Sequence, residues 1–201
     1  TDLVNVWGYP EGMRREDPMS RTIDLSGKRA LITGAAAGIG RACAVALAEA
    51  GASIVAVDVN EQGIRQTIEA TGGGLAVRCD LSLPDDVESM RDRVLAELGG
   101  IDILINCAGI ISYKKGIGAF SIEEWDRVLN VNLRGTYLVC RAFAEGMKEQ
   151  NWGRIVAFSS LAARVGVIEV GLHYASSKAA LIGLTRTLAK ECGPYSITVN
   201  T

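Results

Sequence analysis

The chain has 201 residues, 48% of them hydrophobic, and a formal net charge of -2: enough apolar material for one well-buried core, and no basic surplus to neutralise phosphates. No apolar run approaches the roughly 20 residues that span a bilayer, so neither a nucleic acid nor a membrane is an expected partner. The cysteines, 43, 79, 107, 140 and 192, are odd in number, scattered and never spaced as CxxC, and the one histidine is His173, which reads as reduced thiols of a cytoplasmic protein without disulfide frame, zinc site or other metal centre.

Residues 1–22 show no strand or helix periodicity and lack the apolar stretch of a signal peptide, so a loosely ordered extension is expected there, with Met19 a candidate start. A single domain is expected over 23–201. Strand-like runs fall at 29–33, 53–58, 75–79, 101–106, 154–158 and 196–200, and helical stretches at about 39–50, 60–71, 84–98, 122–150 and 174–192. Pro84 near the start of the third helix and Gly99-Gly100 beyond its end are the punctuation that such a helix needs. Strand and helix in alternation give an α/β fold of three layers, a doubly wound parallel sheet whose ligands lie outside the carboxyl ends of the strands.

The first strand runs into Thr33-Gly34-Ala35-Ala36-Ala37-Gly38-Ile39-Gly40 and then a helical stretch. Gly34, Gly38 and Gly40 let the backbone turn tightly and approach a diphosphate, whose charge the free N–H groups of the following helix favour. The next strand ends in Asp58, eighteen positions after Gly40, where a dinucleotide fold places its ribose-binding carboxylate. The alternative is that Asp58 only caps the helix that follows. As a ribose ligand it would repel a 2′-phosphate, and Ala37, Val59 and Asn60 supply no cation to hold one, which favours NAD over NADP. Farther on, Tyr174 and Lys178 are spaced i and i+4 on one helix face. An ammonium close to a phenol favours the phenolate, the arrangement of a general acid/base.

TGAAAGIG at 33–40, NCAG at 106–109 and YASSK at 174–178 together resemble the signature segments of the short-chain dehydrogenase/reductase family in its single-domain form. The resemblance runs from about Ile23 to the last residue and implies a Rossmann-type sheet and a hydride-transferring oxidoreductase that interconverts a secondary alcohol and a ketone with NAD. It implies that Thr33 braces the glycine turn, that Ala37 and Ile39 lie along the cofactor, and that Asp80 and Leu81 flank the adenine. Asn106, Ala108 and Gly109 would shape the cofactor wall, Cys107 replacing a common asparagine. The catalytic set would be Asn132, Ser160, Tyr174 and Lys178, with Asn130 and Ser159 as competitors and Lys178 also holding the cofactor ribose. Asn132 would extend a proton relay to the lysine.

By the same resemblance the helices that carry Asn132 and Tyr174 pair between copies into a homodimer or homotetramer, with Leu181, Leu184 and Leu188 as an outer face; the alternative is that these leucines face the sheet. His173 reads as a pocket wall or a substrate contact. Relatives continue past Thr201 through a lid and a seventh strand, which are expected to be missing here. Two other functions stay open: a non-catalytic NAD(H)-binding or structural subunit, and an NADPH-dependent 3-oxoacyl-thioester reductase.

Overall fold

The computed structural model describes residues 23–201, so the expected extension over 1–22 lies outside the described residues. Six parallel strands, β1 (Arg29–Thr33), β2 (Ser53–Asp58), β3 (Leu75–Arg78), β4 (Ile103–Asn106), β5 (Gly153–Ala157) and β6 (Ile197–Asn200), form one sheet in the order β3-β2-β1-β4-β5-β6. The helices are α1 (Gly38–Glu49), α2 (Glu61–Ala70), α3 (Pro84–Leu98), α4 (Ile122–Leu129), α5 (Thr136–Glu149), a short α6 (Ala162–Val165) and α7 (Leu172–Cys192). The doubly wound α/β expectation therefore holds.

Parallel strands covered on both faces need apolar residues on both sides, and side chains alternate between faces along each strand. In β1, Ala30 and Ile32 pack with Ala44 of α1 and Ile64 of α2, whereas Leu31 packs with Val94 of α3 and Val139 and Phe143 of α5. Local signals set the helix ends. Asn60 accepts the N–H of Gly63 at 3.0 Å and Ser121 accepts that of Glu124 at 3.2 Å, while Pro84 starts α3 and Gly99 ends it with φ 71°. Asn60 is thus the cap of α2, not Asp58, which instead accepts the N–H of Asn60 in the turn before the helix. At the amino ends of β1 and β4 Arg29 grips the buried Asp102 through three donors, its backbone N–H and Nε at 2.8 Å each and Nη2 at 3.2 Å. Burial pushes the Asp102 carboxyl up, but these bonds outweigh it and hold the group below the usual carboxylate range.

Four expectations change. The fourth strand starts at Ile103, because Asp102 is taken by Arg29. The long helix expected at 122–150 is broken by a widened, π-helical turn over Asn130–Gly135. The last long helix begins at Leu172 rather than 174. Leu181 is buried inside the fold, and of the three leucines only Leu184 and Leu188 are partly exposed.

The strand order reverses between β1 and β4, so the chain departs from these two neighbouring strand ends in opposite directions and leaves a crevice between the departing turns.

Candidate active site

At that crevice lies a cavity of about 650 Å³. Gly34, Ala36 to Gly40, Asp58, Asp80, Leu81, Ala108 and Gly109 line it, so most of the expected cofactor residues meet in one place. The turn from β1 to α1 is tight. A Cβ on Gly40 would overlap the carbonyl of Gly34, one on Gly34 would stand 2.8 Å from the nitrogen of Ala108, and one on Gly38 would enter open space. The first turn of α1 has no side-chain cap and no acid, which leaves its N–H groups free for an anion. Arg41 stiffens the turn from outside, its guanidinium donating to the carbonyls of Ala36 and Gly63 and, at 3.0 Å, to the hydroxyl of Thr67.

Asp58 is held at the end of β2 by the N–H of Ala36 at 3.2 Å and that of Asn60 at 3.0 Å. Asp80 accepts both the hydroxyl of Ser82 at 2.7 Å and its N–H at 2.9 Å, and the first of these chiefly lowers the pKa of the carboxyl. Ile39, 61% exposed, projects from the turn along the cavity wall. Glycines that a Cβ would crowd, uncapped N–H donors and a fixed carboxylate together fit a dinucleotide with a diphosphate and a ribose diol.

Two expected residues act elsewhere. Asn106 does not line the cavity: it is buried, and its Nδ2 faces the Sγ of Cys140 at 3.6 Å. Thr33 braces the turn after β4 rather than the glycine turn, accepting the N–H of Ala108 at 3.2 Å. Sequence reasoning also passed over Arg127 and Val131 in the wall. They stand i and i+4 across the start of the widened turn, a spacing that was open to reading.

Beyond Gly109 the wall becomes polar. A Cβ on that glycine would lie 3.3 Å from both Asn132 Oδ1 and Lys178 Nζ, so these two groups stand directly behind it. Asn132, wholly buried, accepts the N–H of Ile110 at 2.7 Å and donates to the carbonyl of Ile110 and the hydroxyl of Ser177, each at 3.0 Å. Its own carbonyl accepts the Thr136 hydroxyl at 2.9 Å. The π-helical register makes room for this inward turn, and Gly135 lets the segment pass Leu81, which a Cβ would meet at 2.9 Å. Asn130 makes no comparable bonds.

Lys178 is 4% exposed and its ammonium donates to the carbonyl of Phe158 at 2.7 Å. Burial pulls its pKa below the ordinary lysine value. Tyr174, half-buried, stands one turn before it on α7. Ser177, which sequence reasoning missed, ties the two elements: it accepts from Asn132 and donates to the carbonyl of Tyr174 at 2.8 Å. Of the competing serines, Ser159 gives its hydroxyl to the carbonyl of Lys178 at 2.8 Å, whereas Ser160 only accepts, from the N–H of Ala162 at 3.2 Å, and keeps its proton for another partner.

A model of the short chain dehydrogenase family matches residues 28–201. The short-chain reductase protein NovJ of Streptomyces niveus is 42% identical over 175 residues, 85% of this chain and 66% of that protein. The D-threitol dehydrogenase of Mycolicibacterium smegmatis is 40% identical over 181 residues, 88% of this chain and 69% of that one. The crystal structure of a short-chain type dehydrogenase/reductase from Mycobacterium marinum superposes with a TM-score of 0.84 at 39% identity, covering 89% of this chain and 74% of that one. The chain spans about two thirds of the length of NovJ and the threitol dehydrogenase. With the strand order, the glycine turn and the family match in agreement, this chain belongs to the short-chain dehydrogenase family of oxidoreductases.

Proposed function

We propose that this protein is an NAD(H)-dependent oxidoreductase that interconverts a secondary alcohol and a ketone, with Tyr174 as its general acid/base. The observation that carries this reading is the buried ammonium of Lys178 behind Gly109, one helical turn from Tyr174 and next to the cavity that fits a dinucleotide. An ammonium that faces one carbonyl and little solvent has two donors left for a phenol or a ribose hydroxyl.

The Gly34–Gly40 turn and the start of α1 would hold the diphosphate, Asp58 the adenosine ribose, Asp80 and Leu81 the adenine side, and Ala108, Gly109 and Lys178 the other ribose. Bound there, the nicotinamide supplies the carbon that gives or takes a hydride. Tyr174 takes the alcohol proton in one direction and returns it in the other. Lys178 keeps the phenolate favoured, and Ser160 donates its free hydroxyl proton to the substrate oxygen as charge develops there. Asn132 has both donors engaged, so in this reading it fixes the backbone around Lys178 rather than passing protons through its amide.

NAD rather than NADP is the reading supported by Asp58 and by Arg41, whose guanidinium is occupied by two backbone carbonyls and Thr67. The likeness to a threitol dehydrogenase puts small polyols first among substrates. The partly exposed Leu184 and Leu188 line a groove of about 500 Å³ with Tyr137 of α5, and a second copy seated there would give the homodimer or homotetramer. A cytoplasmic location suits the free cysteines.

The test is NADH oxidation and NAD reduction against a panel of polyols, secondary alcohols, ketones and 3-oxoacyl thioesters. Turnover is expected with NAD(H), and Tyr174→Phe should bind NADH normally while turnover falls by about a thousandfold or more. Substantial activity in that variant overturns the assignment of Tyr174.

A further inference from the structure

We infer that His173 is a positioning residue for Tyr174, through a hydrogen bond from the Tyr174 amide to the imidazole. The first N–H groups of any helix lack an intrahelical acceptor. In α7 the residue before the helix is Gly171, which offers no side-chain cap, so Tyr174, third in the helix, needs an acceptor from outside the ladder. His173 supplies it: its Nδ1 accepts the Tyr174 N–H at 2.9 Å. The residue that would shuttle protons is thereby held by its own neighbour at the point where the helix begins.

The ring is built in rather than draped. It is 0% exposed and packs against Phe120, centroids 4.4 Å apart, with Trp125 stacked at 6.5 Å. Gly171 leaves both rings room, since a Cβ there would fall 2.6 Å from Cε1 of His173 and 3.0 Å from Phe120. An Nδ1 that accepts a bond places the proton of the neutral ring on Nε2. That Nε2 has no hydrogen-bond partner, and Oε1 of Glu124 stands 3.8 Å away. The carboxylate is too far to bond and close enough to favour the Nε2–H tautomer by its charge. Glu124 in turn accepts Lys114 and, at 2.6 Å, the hydroxyl of Ser112, both from the segment that follows β4. One carboxylate thus ties that segment down beside the ring that holds Tyr174.

The inference rests on the proposed role of Tyr174, and its tests are chosen to fail separately from it. His173 is the only histidine of the chain, so nitrogen NMR of 15N-histidine protein reads its tautomer directly. A proton on Nε2 and none on Nδ1 is expected at neutral pH; a proton on Nδ1 overturns the inference whatever the enzyme does. Two variants then separate positioning from packing. His173→Asn keeps an acceptor at the place of Nδ1, whereas His173→Phe fills the space without one.

We expect kcat to fall at least about tenfold in the Phe variant and to recover to within about threefold of the parent in the Asn variant, with the Kd for NADH unchanged in both. Amide hydrogen exchange at Tyr174 should be fast in the Phe variant and slow in the parent and the Asn variant. Equal kcat in the two variants, or equal exchange in all three proteins, overturns the positioning role. No turnover by the unaltered protein on any substrate, with the expected tautomer and exchange pattern intact, overturns the proposed function instead.

Discussion

The glycine turn offers the sharpest quantitative test, because Gly34 and Gly38 share a motif but have different surroundings. Both have positive φ, 68° and 54°, so an alanine at either strains the backbone by about 1.5 kcal/mol. Loss of freedom in the unfolded chain returns about 0.7 kcal/mol in each case. At Gly34 the new methyl would also sit 2.8 Å from the nitrogen of Ala108 and 2.9 Å from its Cα, backbone atoms that cannot swing aside. Opening that contact to an ordinary separation moves β1 and the turn after β4 apart by roughly half an ångström, at about 2 kcal/mol. At Gly38 nothing lies within 4 Å. Gly34→Ala should therefore lose about 3 kcal/mol of stability and Gly38→Ala about 1 kcal/mol, which for a domain of this size is a fall in Tm of roughly 9 °C against 3 °C. NADH affinity should drop at least about tenfold in both, since the Gly38 methyl projects into the open space of the turn and the Gly34 methyl distorts its frame. Thermal unfolding by circular dichroism and titration by NADH fluorescence read the two quantities. Equal Tm losses, or a Gly38→Ala protein that binds NADH like the parent, would refute the assignment of strain to Gly34 and of diphosphate approach to Gly38.

Asp58→Ala should weaken NADH by about 2 kcal/mol, roughly thirtyfold, with NADPH little changed; tighter binding of NADPH by the unaltered protein would refute the cofactor preference. Lys178→Met should remove turnover yet cost the fold no more than about 1 kcal/mol at neutral pH, because a buried cation gives way to an apolar chain of similar length. The folded protein binds fewer protons at Lys178 than the unfolded chain, so the penalty of its charge is full at low pH and relieved as pH rises from the lowered pKa toward the unfolded value near ~10.4. The stability of the parent measured against the Met variant should therefore improve with rising pH in that window, and a gap that moves the other way contradicts the burial argument. Burial pushes the thiols of Cys79, Cys107 and Cys140 up to about 12. Iodoacetamide at pH 8 should alkylate these three on the order of a thousandfold more slowly in the folded protein than after unfolding, as read by peptide mass spectrometry.

The strands and most helices were legible because their signals are local: β-branched runs such as Ser53–Asp58, a proline at the start of α3, a glycine after its end. The wide turn over Asn130–Gly135 was not, since no residue preference marks an i to i+5 register; its cause is long-range, the reach of Asn132 to the backbone of Ile110. Asn106 shows a signal that was present and unread. Side chains in β4 alternate, Leu104 packs on the α5 face, and Asn106 two residues later must face the same way, toward Cys140 rather than into the cavity. Leu181 repeats the lesson in a helix. It follows the buried Ser177 and Lys178 by four and three positions, which places it on the inward stripe.

Among the described residues ten polar or charged side chains are buried, and six of them, Asn132, Thr136, His173, Ser177, Lys178 and Thr185, sit on the wide turn, the start of α5 and α7. Polar groups are expensive inside a core unless each finds a partner, so their concentration beside the cavity is what the proposed function would lead one to expect. The partners found are chiefly backbone: Ile110, Phe158, Tyr174, Leu181. A network anchored chiefly on backbone groups, with the Asn132–Ser177 bond as its side-chain link, holds its members with little reliance on side chains that could themselves rotate. That is how a turn of α7 can hold the ammonium of Lys178 behind Gly109 and the backbone of Tyr174 one turn before it, while the glycine turn lies across the crevice. In the proposed function the side that takes the cofactor depends on places where a Cβ is absent and the side that carries Tyr174 and Lys178 on places where a buried bond is present, so single substitutions in the first should act on binding and in the second on turnover.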